Sequence, residues 1–476
     1  MISLAGALAL AAVLIGGCSE RGPFECSRDE QCARGDETGF CESVGFCSFA
    51  DTECPQGRRF ADSAGDELAG ECTGTAPCGA VGQACCEGDV CGDGITCGGQ
   101  GMCVSCFSEL APGRRHTCAI GHDTTIWCWG NNDQGQLGNG NDAISGPTPV
   151  QVVGGNGAPL SGATYVASGF NHSCAVVAGK ALCWGANDDG KLGDGTTDSR
   201  NAAVEVIDTG GQPLQGIVQI DVGDAHSCAL ASSGQVFCWG LNEGRLGDGE
   251  TTTRGTASPV IVAGGEPLAG AVQLAVNGRG ACVRGAGDRI SCWGRNNDGE
   301  TGVGNQAPVT VATEVFTGTD VATGRRHTCA ATADGDAICW GGGWRGTLGN
   351  TDNATDPILV PGAVLTIDTR QPVSDVAEVA AGAAGCYRSN AGEVYCWGPG
   401  SYGQVGAGAG SYYATPVLTA PSGPPLSGAT RITSHHSRVC AFLEDGRIVC
   451  WGRNIEGQLG DGSTENRAFP TEVQCP

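Results

Sequence analysis

A cysteine followed directly by tryptophan and glycine recurs seven times in this chain, at Cys128, Cys183, Cys238, Cys292, Cys339, Cys396 and Cys450. The steps between these cysteines are 55, 55, 54, 47, 57 and 54 residues. Self-similarity at such a period marks a repeat architecture, in which one small unit buries its apolar face by stacking on the next. The third unit reads CALASSGQVFCWGLNEGRLGDG from Cys228 to Gly249. An apolar stretch, Ile217 to Val222, precedes this segment, and another, Pro259 to Val262, follows it. Turn residues separate the stretches, and no helical period appears. Four short strands in each of seven units predict an all-β, seven-bladed β-propeller over residues 106–476.

A second cysteine precedes each Cys-Trp-Gly. It stands ten residues earlier in Cys118/Cys128, Cys228/Cys238, Cys282/Cys292, Cys329/Cys339, Cys386/Cys396 and Cys440/Cys450, and nine earlier in Cys174/Cys183. A spacing of ten places the pair opposite each other across a three-residue hairpin loop such as Glu444-Asp445-Gly446. A spacing of nine does the same across the two-residue loop Ala178-Gly179. The loop changes length while the register holds, which predicts one disulfide per hairpin. The stretch around the earlier cysteine is rich in small residues, as in the run Ala380 to Gly385. Such residues suit the crowded axis of a propeller, so this strand is expected to lie innermost. The tryptophan is expected to anchor one blade on the next.

The chain carries 29 cysteines, which points to an oxidising compartment. The N-terminus agrees. Leu4 to Ile15 is an apolar run too short to span a bilayer, and it leads to Gly16-Gly17-Cys18. This resembles a lipoprotein signal, with residues 1–17 removed and Cys18 lipidated, although Met1-Ile2-Ser3 carries no Lys or Arg. Ser19 after the cysteine favours the outer membrane in proteins of that resemblance. Two cysteine-rich modules are expected next. Residues 18–72 hold Cys26, Cys32, Cys41, Cys47, Cys54 and Cys72, and residues 73–105 hold Cys78, Cys85, Cys86, Cys91, Cys97 and Cys103. Their connectivity stays open. Two cysteines remain, Cys106 before the first unit and Cys475 after the last. Ring closure would bring them together, and a Cys106–Cys475 disulfide is expected. The alternative pairs Cys475 with a neck cysteine.

The units resemble the repeats of the regulator of chromosome condensation family. The resemblance rests on His226-Ser227-Cys228-Ala229-Leu230, Trp239-Gly240-Leu241-Asn242 and Gly244-Arg245-Leu246-Gly247-Asp248-Gly249, and on the same pattern from Trp451 to Gly462. It implies a seven-bladed propeller over roughly residues 107–474 but no single activity. The eponymous nuclear member exchanges nucleotide on a small GTPase and binds chromatin. A secreted β-lactamase-inhibitory member works by protein binding, which fits an exported chain better.

The formal net charge of −25 opposes nucleic acid and anionic lipid. His116, His172, His226 and His327 occupy one position in four units, where the others carry Gly280, Ala384 and Arg438. Irregular replacement favours a structural histidine over a metal ligand. The pair His435-His436 breaks the repeat and is expected at the surface. Loops such as Asn187 to Gly195 are rich in Asp and Asn but lack the calcium-loop spacing. Only Cys103 and Cys106 form a C-x-x-C pair, too little for a zinc site. No cofactor or metal and no catalytic residue is assigned. The least regular segments follow the L-G-x-G turn, and Trp344, Tyr402, Tyr412 and Tyr413 sit in or beside them, outside the repeat motif. These aromatics are the expected binding anchors. The chain is thus expected to be a monomeric, surface-tethered propeller that binds a protein or a cell-envelope polymer and touches the membrane only through its lipid. A propeller hydrolase or a carbohydrate-binding lectin is the alternative.

Overall fold

The computed structural model describes residues 106–475, apart from 142–145, 277 and 351–356, and several short strands between Ala33 and Val104. The chain divides into two compact units, Met1–Cys103 and Val104–Pro476. In the first, Phe40–Cys41, Cys47–Ala50 and Arg58–Phe60 form an antiparallel sheet. The leader, Cys18 and the side chains of the neck cysteines lie outside the described residues.

The second unit contains seven four-stranded antiparallel sheets. Each is built from four consecutive strands, and these are the blades. The third blade is Ile217–Val222, His226–Ala231, Val236–Gly240 and Arg254–Pro259. The first strands of the other blades are Phe107–Pro112, Ala163–Ser168, Ala271–Val276, Asp320–Thr323, Val376–Ala381 and Ala429–His435. All seven first strands line a cavity of about 240 Å³ on the axis. The innermost strand is therefore the apolar first one, and the expectation for the small-residue strand is corrected. That strand lies second, at His226–Ala231 in the third blade, where every position is buried. Its small residues answer to crowding by the two neighbouring blade faces rather than by the axis.

The seven hairpin disulfides form between directly opposed residues, with Cα–Cα distances of 4.0–4.1 Å. This is the close, non-hydrogen-bonded kind of antiparallel pair. In the second blade, Ala178 and Gly179 take φ of 49° and 75°, as a two-residue primed turn requires. The register between third and fourth strands slips across the tryptophan of every blade, for example between Cys238 and Gly240. Gly240 sits at this bulge with φ 104°, a conformation that disfavours any side chain.

The tryptophans are the joints between blades. All seven are at most 1% exposed. Trp239 Nε1 donates to Lys191 O of the preceding blade at 2.9 Å, and Trp184, Trp340, Trp397, Trp451 and Trp129 make the equivalent bond. The glycine of the Leu-Gly turn lies on the same indole. A Cβ on Gly193, whose φ is 70°, would stand 2.8 Å from Trp239 Nε1. The glycine thus serves both the turn and the close approach of the next blade.

Among the described residues no strand is shared between the chain ends. The ring closes by side chains and one covalent link, and Cys106 and Cys475 are disulfide-bonded with Cα atoms 5.8 Å apart. Phe107, Leu110, Trp129, Cys440, Ile448, Leu459 and Val473 form one apolar cluster across the seam. Arg431 grips Glu109 with two bonds of 2.8 Å. Arg438, 1% exposed, stands where four other blades carry histidine. It donates to Thr117 Oγ1 at 2.5 Å, to Gln458 O at 2.6 Å, to His116 O at 2.8 Å and to Gly113 O. Burial draws its pKa down to about 9, so it stays charged at neutral pH.

Candidate binding site

Antiparallel order puts the connections between first and second strands, and between third and fourth, on one face of the ring. The hairpins and blade-to-blade connections lie on the other. The loop face carries a pocket of about 490 Å³, lined by residues of blades five, six, seven and one. Four arginines reach it: Arg114, Arg325, Arg326 and Arg453. Trp344 and Tyr402 supply aromatic walls, and His436 and Ser437 the side nearest the axis. Among the described residues no carboxylate lines it.

Sequence explains why the pocket opens here. In five blades an asparagine three residues after the tryptophan locks the loop between third and fourth strands. Asn187 accepts from Leu192 N at 2.9 Å and donates to Thr196 O and Asp198 O. Asn132, Asn242, Asn296 and Asn454 repeat this. Blades five and six carry Gly343 and Gly400 there, so that clamp is absent. Their loops present Trp344, 54% exposed, and Tyr402, 38% exposed.

The arginines are held from behind. Asp298 takes Arg326 at 2.8 and 3.0 Å and also Arg279 at 2.5 Å. Glu456 takes Arg453 and Arg115, each at 2.9 Å. Asp224 takes Arg325 at 3.4 Å and His436 Nε2 at 3.2 Å. Burial opposes the charge of Asp224, but the His436 bond and the arginine prevail and hold its pKa below the usual carboxylate range. Arg114 stacks on the Phe170 ring at 3.9 Å. Burial lowers its pKa, and the nearby Arg325 adds to the effect. His435 and His436 do not sit free at the surface, as the sequence suggested. They lie at the mouth of the axial cavity, where His436 meets Phe170 edge-on at 6.0 Å and burial favours both neutral rings.

Of the four aromatics singled out from sequence, the structure brings Trp344 and Tyr402 to one pocket. Tyr412 is 37% exposed but packs on Gly346 and does not line the pocket. Tyr413 is 7% exposed under the Arg370 guanidinium, so it is a packing residue and its assignment as a surface anchor is corrected. The four arginines were missed. A signal was present: Gly-Arg-Arg-His-Thr-Cys-Ala occurs unchanged at 113–119 and 324–330.

The other candidate chemistry is structural. His116 and His172 bond Ser173 and Ser227 of the next blade at 2.7 and 2.8 Å. Burial lowers His116 and His226 to about 3 and His327 to about 4. The loop carboxylates Asp194, Asp248 and Asp461 are held by Arg200, Arg254 and Arg467 at 2.9, 2.5 and 2.6 Å. A belt around the axial cavity was also missed. The third position of the first strand is Glu109, Tyr165, Gln219, Gln273, Glu378 and Arg431 in six blades, and Asp320, at the head of the shorter first strand of the fifth, lines the same cavity. These side chains stitch inner strands together: Gln219 accepts from Leu274 N at 3.0 Å, Asp320 from Val379 N at 2.8 Å, and Glu378 from Ile432 N at 3.1 Å. Asp221 accepts from Val222 N and Val276 N at 2.8 and 2.7 Å, and burial pushes it up to about 7. The carboxylates that converge on the axis thus hold backbone or arginine. Among the described residues no group of three or more His, Cys, Asp or Glu is placed to hold a metal ion.

Family models of the regulator of chromosome condensation (RCC1) repeat match residues 123–176, 178–230, 217–244, 319–346 and 445–476. The chain is 31% identical over 329 residues to the ultraviolet-B receptor UVR8 of Arabidopsis thaliana, covering 67% of this chain and 71% of the receptor. It is 29% identical over 364 residues to the human E3 ubiquitin-protein ligase HERC2, covering 73% of this chain but 7% of the ligase. The fold matches that of Prp20p from Saccharomyces cerevisiae with a TM-score of 0.59 at 20% identity, over 75% of this chain and 87% of that one. With the repeats, the closed ring and the UVR8 match together, the chain belongs to the RCC1 repeat family.

Proposed function

We propose that this protein is a non-catalytic binding module, exported and lipid-anchored through Cys18, that holds another protein by the loop face of its propeller. The observation that carries the reading is the pocket itself. Two exposed aromatics stand beside four arginines where the regular asparagine clamp is missing. Aromatic and arginine side chains give large contact area and directional bonds, and they dominate interface energetics. Related propellers support protein as the partner class. The study of the Prp20p structure concerns its binding to Gsp1p and histones, and yeast RCC1 (Prp20) has been crystallised with Kap60 bound. The net charge of −25 argues against an extended polyanion such as nucleic acid. Eight disulfides in the propeller and the Gly16-Gly17-Cys18 sequence support an oxidising, extracytoplasmic site.

The test is a photo-crosslinker placed at position 344 on the loop face or at position 218 on the other face, in the full chain in its own cells. Val218 is 50% exposed, so both sites are open to a partner. The expected result is a discrete adduct from 344 alone. Adducts from 218 alone, or from neither, would contradict the reading.

A further inference from the structure

The pocket combines features that specify a ligand class. Among the described residues its four arginines face a space that no carboxylate lines, in a protein of net charge −25. The acids nearby are already shared: Asp298 serves Arg279 and Arg326, Glu456 serves Arg115 and Arg453, and Asp224 serves Arg325 and His436. Arg279 also meets Glu300 at 3.2 Å and Arg115 meets Asp133 at 3.4 Å, so of the pocket's own four arginines three share their carboxylate with a second basic side chain, and Arg114 is held by the face of Phe170 instead. The guanidinium groups are fixed in place by these contacts, so an anion entering the pocket meets donors already oriented. Mutual repulsion within the cluster is relieved by such an anion. A planar guanidinium matches a planar carboxylate through paired N–H···O bonds. The aromatic walls call for an apolar group beside the charge. Arg345 lies over Trp344 at 4.4 Å, and Arg453 over Tyr402 at 5.8 Å, which sets a cation against the face of each ring.

We propose that this pocket recognises an acidic peptide segment, one or two carboxylates next to an aromatic or aliphatic side chain, on the protein that the loop face binds. The inference rests on the reading of that face as the binding surface and adds the chemistry of its partner. A short segment suits the site better than a long polyanion, because the acidic body of the propeller repels charge that lies beyond the pocket. The site also spans the ring seam, with Arg114 from the first blade and Arg453 from the last.

The experiment is fluorescence anisotropy on the purified full-length protein with a labelled peptide containing Glu-Phe-Glu and its Gln-Phe-Gln counterpart. Inorganic phosphate and sulfate are the competitors. The Glu peptide should bind at least about tenfold more tightly than the Gln peptide, the scale of one charge-assisted contact. Arg114→Gln combined with Arg325→Gln should weaken the Glu peptide by about a hundredfold, at about tenfold per arginine. The melting temperature should hold in that variant. Should it fall instead, the comparison of the two peptides on the wild type still decides. Equal affinity for the two peptides, or full affinity in a stable double variant, overturns the inference. Displacement by phosphate or sulfate at lower concentration than by unlabelled Glu peptide overturns it in favour of a small inorganic anion. A specific adduct at 344 without preference for the Glu peptide would sink this inference and leave the binding face standing. Absence of any adduct at 344 would remove the face itself.

Discussion

Arg438 of the last blade donates to the hydroxyl of Thr117 in the first, at 2.5 Å, from the position that four other blades give to histidine. His116 bonds one serine of the next blade; the arginine reaches a hydroxyl and three carbonyls. The irregular substitution thus falls at the one junction where no chain continuity joins the blades. Arg438→Ala leaves those acceptors buried and a cavity beside them. The loss should be on the order of 3 kcal/mol in urea unfolding. A loss under about 0.5 kcal/mol, the range of an ordinary surface change, would show that the seam does not depend on it.

Two glycines with nearly the same φ separate turn geometry from blade packing. Gly193, at φ 70°, lies on Trp239, whereas Gly211, at φ 74°, has nothing within 4 Å of a built Cβ. Gly211→Ala should cost about 1 kcal/mol, the strain of a left-handed residue. Gly193→Ala should cost that and a further 1–3 kcal/mol or so for overpacking against the indole. Calorimetry of the two variants checks the difference, and equal losses would mean that the indole yields without cost.

The two kinds of disulfide should differ in worth. Each hairpin bridge closes nine or ten residues, while Cys106–Cys475 closes 369. Chain entropy alone gives about 3 kcal/mol for the first and about 5 kcal/mol or more for the second. Cys106→Ser with Cys475→Ser should therefore lower stability more than Cys228→Ser with Cys238→Ser, measured as denaturant midpoints. The reverse order would mean that the side-chain seam alone closes the ring.

The buried histidines set an acid limit. Their folded pKa values lie below the unfolded value near 6.5, at about 3 for His116 and His226 and about 4 for His327, because burial disfavours the charged ring. A depressed folded pKa means stability that is present above pH 6.5 and is lost as pH falls toward the folded values. Each histidine should take about 1.4 kcal/mol per pH unit below 6.5. His116→Gln should flatten the slope of stability between pH 6 and 4; an unchanged slope would place the acid sensitivity elsewhere.

Blade number, hairpin bridges and the clasp were legible because the repeat reports them redundantly. Seven Cys-Trp-Gly motifs and a conserved register leave little freedom. The inner strand was not legible, because small residues suit the axis and a second strand crowded by two blade faces equally well. The burial of Tyr413 was not legible either, because one sequence stretch exposes Tyr412 and buries its neighbour, as strand alternation requires. The arginine pocket was not legible because its members come from four blades, and no local window shows that Arg114 and Arg453 are neighbours. Only the duplicated Gly-Arg-Arg-His hinted at it.

Ring closure is the claim on which the rest depends, since the pocket joins Arg114 of the first blade to Arg453 of the last. Peptide mapping under non-reducing conditions, on protein recovered from its own cells, tests it most directly. The account predicts one peptide containing Cys106 linked to one containing Cys475. A Cys475 peptide linked to any neck cysteine, or recovered as a free thiol, would contradict it.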